Sequence, residues 1–166
     1  TAAVKDPNLI RELSDVWGAS TIVLSIEAKR TTEGKWEAYT DNGRERTGLD
    51  AVEWATNGAS LGAGEIFVTS VDQEGTKKGF DCQLMAEITR NVDIPVIASG
   101  GFGQLEHLKE LLASSEPTGV AIADSLHYNR FTFAQIRDFC ASNGIATRTQ
   151  LLNKSGKQLI TETARS

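Results

Sequence analysis

Three small polar stations stand where apolar runs end: Thr69-Ser70 after "EIFV", Ser99-Gly100-Gly101 after "IPVIA", and Asp124-Ser125 after "TGVAIA". Glycine carries no Cβ, so its backbone can approach a ligand closely and adopt dihedrals closed to other residues. An amphipathic segment follows Gly101 at once. A helix starting there would aim unpaired N–H groups and its positive dipole end at one spot. That is chemistry for holding a phosphate, with the Ser125 hydroxyl arriving from the next unit. The plainer alternative is a tight strand-to-helix connection that uses glycine for steric reasons.

Glu27 ends the first apolar run, ahead of Lys29 and Arg30. A carboxylate inside such a run is costly unless it meets a polar cavity or a partner. It is a candidate general acid or base, or else one half of an ion pair with Lys29 or a neighbouring helix. Residues 68–81, "VTSVDQEGTKKGFD", form a long polar loop in which Gly75 and Gly79 could hinge a substrate-covering segment; a solvated connection is the alternative. Glu65 begins its strand and belongs at the opposite, lower face, where stability is the default role. His107, on a predicted helix, is expected to be solvated. His127, just after Ser125, is a candidate for ligand contact. The two histidines lack metal-ligand spacing, so neither metal nor cofactor is expected.

These residues need elements to position them. Helical spacing marks 8–18, with Gly18 as a stop. The β-branched run over 20–29 reads as a strand covered on both faces. "KWEAYT", "DNG" and "RERT" read as a hairpin around Asn42-Gly43. A helix is predicted over 48–64, a strand over 65–70, a helix over 81–92 capped by Asp81, a strand over 94–99 and a helix over 104–114. The last pair is a strand over 118–124 and a helix over 132–144, capped by Thr132. The tail 149–166 fits no further unit: it is a frayed terminus or a helix docked elsewhere.

Alternating strands and helices predict parallel strands and an α/β fold. A doubly wound sheet would concentrate glycine in its first strand-helix turn as G-x-G-x-x-G. Here the glycines follow the third strand with a different spacing, and the polar residues all follow strands. That favours a TIM-type (βα) barrel, whose site lies on the strand carboxyl ends. A whole barrel takes about 250 residues; four units make half of one.

The 166 residues carry a net charge of -5, and no lysine or arginine cluster appears. This argues against a nucleic-acid partner. No apolar run is long enough for a bilayer, and no leader pattern opens the chain. Cys82 and Cys140 form no C-x-x-C pair, which suits a reduced, cytoplasmic protein.

Together "SIEAKR", "GAGEIFVTSVDQEGTKKGFD", "IPVIASGGFG" and "LHYNRF" resemble the cyclase subunit of imidazole glycerol phosphate synthase, a lyase-type enzyme of histidine biosynthesis. The likeness runs from Thr1 to about Arg148. It covers the C-terminal half of that family's (βα)8 barrel, so 1–148 is expected to be one half-barrel. The resemblance implies ammonia-dependent cyclisation of a two-phosphate aminoimidazole-carboxamide ribonucleotide, with ammonia from a glutaminase subunit. It implies that Gly75, Thr76, Gly100, Gly101 and Ser125 hold one phosphate and that Thr1 lies near the other. By the same likeness, Thr69 and Ser99 line the substrate cavity and Glu65 belongs to a charged gate at the ammonia entrance.

The chain departs from that family at three places. The family has two catalytic aspartates, of which the first belongs to the N-terminal half and the second is Glu27 here. The family's "DGT" reads Glu74-Gly75-Thr76. Asp124 stands where a small residue usually precedes the phosphate-binding serine, and its charge would repel a phosphate unless screened. The isolated chain is therefore expected to show no cyclase turnover without an N-terminal half-barrel. A phosphate-binding half-barrel without turnover, or an ammonia-using paralogue with another substrate, are the alternatives. An inner sheet face carrying Val23, Ile26 or their alternates, Phe67, Val96 and Val120, with two open strand edges, would meet water. That predicts a homodimer or a higher even oligomer.

Overall fold

Glycines and short polar residues set most of the element boundaries. The structure, a computed structural model, describes residues 1–148; the predicted tail 149–166 lies outside the described residues. It comprises two units, Thr1–Arg130 and the chain from Phe131 onward. The first unit opens with α1 (Ala2–Lys5) and α2 (Asn8–Trp17). Gly18, at φ +83°, stops α2 as its sequence position predicts. After a 3₁₀ turn at Ala19–Thr21 come β1 (Val23–Arg30), β2 (Trp36–Thr40), β3 (Glu45–Asp50) and α3 (Ala51–Ser60). The chain then alternates β4 (Glu65–Ser70), α4 (Cys82–Asn91), β5 (Val96–Ser99), α5 (Glu106–Ser114), β6 (Gly119–Ala121) and the short α6 (Asp124–His127). The second unit holds α7 (Phe133–Ser142), opened by a capping box between Thr132 and Gln135.

The six strands form one sheet in the order β3-β2-β1-β4-β5-β6. β1, β4, β5 and β6 are mutually parallel, as the alternation predicts for a partial TIM-type barrel. Two expectations need correction. The hairpin is not separate: β2 runs antiparallel to β1 and pairs with Glu27–Arg30, so the carboxyl half of the β1 edge is covered. Residues 45–50 extend as β3, so α3 begins at Ala51, where the Asp50 carboxylate accepts from the Val52 and Glu53 N–H groups, rather than at Gly48.

The pleat sorts the side chains in register. Leu24, Ile26, Ala28, Ile66, Val68, Val96 and Ala98 are buried in the core, where α3 packs on β1 and β4, and α4 on β5. Gly58 lets α3 come close, since a Cβ there would sit 2.2 Å from Leu24 Cδ2. The alternate positions face the other side. Ser25, Phe67, Ile97 and Gly119 make one row, and Glu27, Thr69, Ser99 and Ala121 make the row nearer the carboxyl ends. Ile26 and Val96 are thus core residues rather than inner-face residues, and Val120, paired with Ala98, falls on the core side of the pleat. The inner face carries Val23, Phe67 and Ile97 among polar residues, so it is less apolar than composition suggests.

The hairpin is fixed by a buried carboxylate. Glu37 accepts from Arg46 Nε (3.0 Å) and NH2 (2.7 Å) and from the Gly48 N–H (2.8 Å). The Arg46 hydrogen bonds, then the Gly48 N–H, hold the Glu37 carboxyl below the usual carboxylate range. Asp81 caps α4 through the Leu84 N–H, as predicted, and also accepts from Trp36 Nε1 at 2.8 Å. No helix among the described residues is long and apolar enough to cross a membrane.

Candidate functional site

At the carboxyl ends of β5 and β6 lies a cavity of about 140 Å³, lined by residues 99–102 and 121–125 together with Phe67, Glu74 and Gly75. The register of the parallel strands builds it. Ser99 and Ala121 are paired neighbours, so the two following loops leave the sheet side by side. Ser125 is fully buried, and among the described residues its hydroxyl finds no hydrogen-bond partner. A buried polar atom without a partner is rare in a folded chain, and one lining a cavity marks a place where a ligand can supply the bond. Among the described residues, the Gly100, Gly101 and Ser125 N–H groups donate to no backbone carbonyl.

The glycines have a reason that needs no ligand. Gly100 and Gly101 sit at φ +95° and +96°. A Cβ on Gly101 would stand 1.9 Å from the Gly79 carbonyl oxygen, and one on Gly100 would stand 2.7 Å from that of Ser70. The Gly79 N–H donates to the Gly101 carbonyl at 2.9 Å. The 71–81 loop therefore lies backbone to backbone on the 100–103 loop, and the steric reading accounts for the glycine pair by itself.

No helix N-terminus stands directly after Gly101. α5 starts at Glu106, several residues beyond Gly101. The intervening Gly103 and Gln104 N–H groups donate to His107 Nδ1 at 3.2 and 3.3 Å. His107 is accordingly a buried capping residue beside Phe102, not the solvated one expected from its helical position. The strand before Ser125 also ends early, at Ala121, because α6 begins at Asp124.

The other candidates are distributed around this cavity. Gly75 lines it, and so does Glu74, whose Oε2 is 3.4 Å from where a Gly100 Cβ would stand. The Thr76 hydroxyl donates to the Gln73 carbonyl at 2.8 Å, and Thr76 is not among the lining residues. Thr69 stands beside Ser99 in the same inner row. Glu27 ends that row on β1, two strands from Ser99 and so about 10 Å away at the usual strand spacing. Its Oε2 accepts from the Gly43 N–H in the hairpin turn at 2.8 Å, rather than from a lysine or a helix. Glu65 is at the amino end of β4, the face opposite the cavity. His127 packs edge-on against Tyr128 and does not line the cavity.

Glu74 and Asp124 are the charged residues of the lining. Asp124 is paired with Arg130, whose guanidinium also lies 5.1 Å from the Tyr128 ring centre and whose N–H donates to the Ser125 carbonyl at 2.9 Å. Sequence reading missed this arginine, and it missed Phe67, Phe102, Ile122 and Ala123 as lining. Only the strand register brings those residues to one place.

Larger hollows lie elsewhere. One of about 370 Å³ is bordered by Arg30, Asp72 and Asp81, but those groups already bond Gln83, the Arg30 N–H and Trp36. Among the described residues no group of three His, Cys, Asp or Glu is arranged to hold a metal ion. Cys82 and Cys140 are free, and burial pushes the Cys140 thiol up.

Comparison with known proteins adds to this geometry. A family model described as histidine biosynthesis protein matches residues 1–132. The imidazole glycerol phosphate synthase subunit HisF of Legionella pneumophila is 59% identical over 106 residues, covering 64% of this chain and 50% of that protein. The chain spans about half the length of that curated relative.

Proposed function

The chain belongs to the histidine biosynthesis protein family, and from that membership we propose that it supplies one half of a cyclase barrel, holding one phosphate of a two-phosphate ribonucleotide. The observation that carries this reading is the Ser125 hydroxyl, buried among the described residues without a partner on the wall of a cavity where the Gly100, Gly101 and Ser125 N–H groups also donate to no described backbone carbonyl. Phosphate oxygens accept from such groups. Gly75, Gly100 and Gly101 form the backbone wall of that site, with Ser99 and Thr69 on the approach to it.

Closing a ring with ammonia requires protons to move on and off nitrogen. Glu27, in the inner row about 10 Å from the phosphate end, is placed to move them as general acid or base. By the family likeness Thr76 belongs with this phosphate and Thr1 with the other, and Glu65, at the far end of the sheet, belongs to the ammonia entrance. The other catalytic carboxylate and the cover for the inner face come from an N-terminal half-barrel, and ammonia comes from a glutaminase subunit in the cytoplasm. The open amino half of the β1 edge, 23–26, is where such a half would pair.

The test is a cyclisation assay of this chain combined with the N-terminal half of a cyclase barrel, supplied with the two-phosphate ribonucleotide and an ammonium salt. Turnover is expected from the pair, none from the chain alone, and none from the pair carrying Glu27→Gln. Equal turnover by the Glu27→Gln pair would remove Glu27 from the chemistry. A pair that binds the ribonucleotide but never cyclises it would leave the second reading, a phosphate-binding half-barrel without turnover. The Glu27 carboxylate already being engaged by the Gly43 N–H favours that reading.

A further inference from the structure

A phosphate cavity walled by two carboxylates has a charge problem, since among the described residues no lysine or arginine lines it. Glu74 and Asp124 would each repel a dianion, and the loop N–H groups and one hydroxyl are neutral donors. Arg130 is the cation paired with the lining carboxylate Asp124. Its backbone is tied to the site, because its N–H donates to the Ser125 carbonyl at 2.9 Å. Its guanidinium is tied as well, through the hydrogen bond from NH1 to Asp124 Oδ2. The side chain is two-thirds shielded from solvent, and its head group lies against the Tyr128 ring. Guanidinium presents five donors in a planar fork matched to phosphate, and NH1 on Asp124 leaves the others available.

Resting on the phosphate reading given above, we infer that Arg130 is the cation of this site, latched on Asp124 in the ligand-free chain and surrendered to the phosphate on binding. Asp124 then has a role at a position where a bare carboxylate would oppose the ligand. It holds the arginine one side chain away from the cavity and makes phosphate compete for it. The cavity favours ligands charged enough to win that exchange, which selects a phosphate ester over a neutral sugar.

The opposing structural account makes the pair a brace for α6. The two accounts predict opposite signs for one substitution. Inorganic phosphate is titrated into the full ¹⁵N-labelled chain at fixed pH and salt, following the Ser125 and Gly101 amides, with amides distant from 120–130 reporting that each variant folds. Arg130→Gln is expected to weaken binding about tenfold, the usual scale for losing a charge-assisted contact and baring a like charge. Arg130→Lys should fall between, keeping charge without the fork. Asp124→Asn is expected to tighten binding by about threefold or more, by removing both the repulsion and the latch. Asp124→Asn/Arg130→Gln should bind at least about fivefold more weakly than Asp124→Asn alone, because only the single variant offers the guanidinium to phosphate. Weakening by Asp124→Asn, or equal affinity of that variant and the double one, would overturn the assignment while wild-type shifts leave the phosphate site standing. No response of the wild-type Ser125 and Gly101 amides at millimolar phosphate would overturn both.

Discussion

Gly101→Ala separates the steric role of the glycine pair from any role in binding. At φ +96° an alanine occupies a region disfavoured for L-residues by about 1–2 kcal/mol. Its Cβ would also fall 1.9 Å from the Gly79 carbonyl oxygen. The obstacle is backbone, so no rotamer change relieves it, and the 71–81 loop must move away. That movement breaks the 2.9 Å bond from the Gly79 N–H to the Gly101 carbonyl, a loss worth about 0.5–1.5 kcal/mol. The substitution is expected to cost about 1.5–3.5 kcal/mol in all, close to the range for positions of stored backbone strain. Gly75→Ala is the internal comparison. Gly75 also has positive φ, at +70°, but nothing lies within 4 Å of its Cβ position, so about 1 kcal/mol is expected there. The assay is urea unfolding in phosphate-free buffer, comparing midpoints at unchanged slope. If Gly101→Ala costs no more than Gly75→Ala without phosphate, the loop contact is not what demands glycine at 101. A penalty emerging only when phosphate is present would refute the steric argument outright.

Two further outcomes follow from buried polar groups. The Glu37 carboxyl is held below its usual range chiefly by Arg46, so its contribution to stability is fully present above about pH 4.3, the unfolded value. That contribution is lost as pH falls through the lower folded value. Urea midpoints measured from pH 6 down to about pH 3 should drop more steeply for wild type than for Glu37→Gln; parallel slopes would show that the ion pair does not titrate with folding. For His107→Leu, the Gly103 and Gln104 N–H groups lose their acceptor, at a cost of about 1 kcal/mol by analogy with a lost helix cap. Hydrogen exchange at those two amides should accelerate, and unchanged exchange would mean that water or another acceptor serves equally well.

Local signals read well where neighbours in sequence decide the outcome. The strand over 65–70, the Asp81 cap of α4 and the Thr132 cap of α7 follow from residue type and spacing within a few positions. Reading failed where a distant segment decides. Residues 44–47 read as the second hairpin strand but 48–50 as the start of a helix; Arg46 and Gly48 bind Glu37, nine and eleven positions upstream, and β3 runs on to Asp50. His107 sits at a helical position that composition leaves solvated. Gly103 and Gln104, turning back just before α5, supply the two donors that bury it.

The candidate site divides along the same line. Ser99, Gly100, Gly101, Asp124 and Ser125 were legible because parallel strands put every post-strand turn on one rim. Their arrangement was not, because it depends on register: Ser99 opposite Ala121, and Glu27 opposite Thr69. Register also explains why Glu27 fits where the resembling family has aspartate. Its added methylene coincides with an Oε2 that reaches the Gly43 N–H of the hairpin lying on β1. An aspartate on the same backbone would fall short of that donor by about one bond length. Asn42-Gly43 predicts a turn, but only the antiparallel pairing of β2 on 27–30 places that turn over the acid.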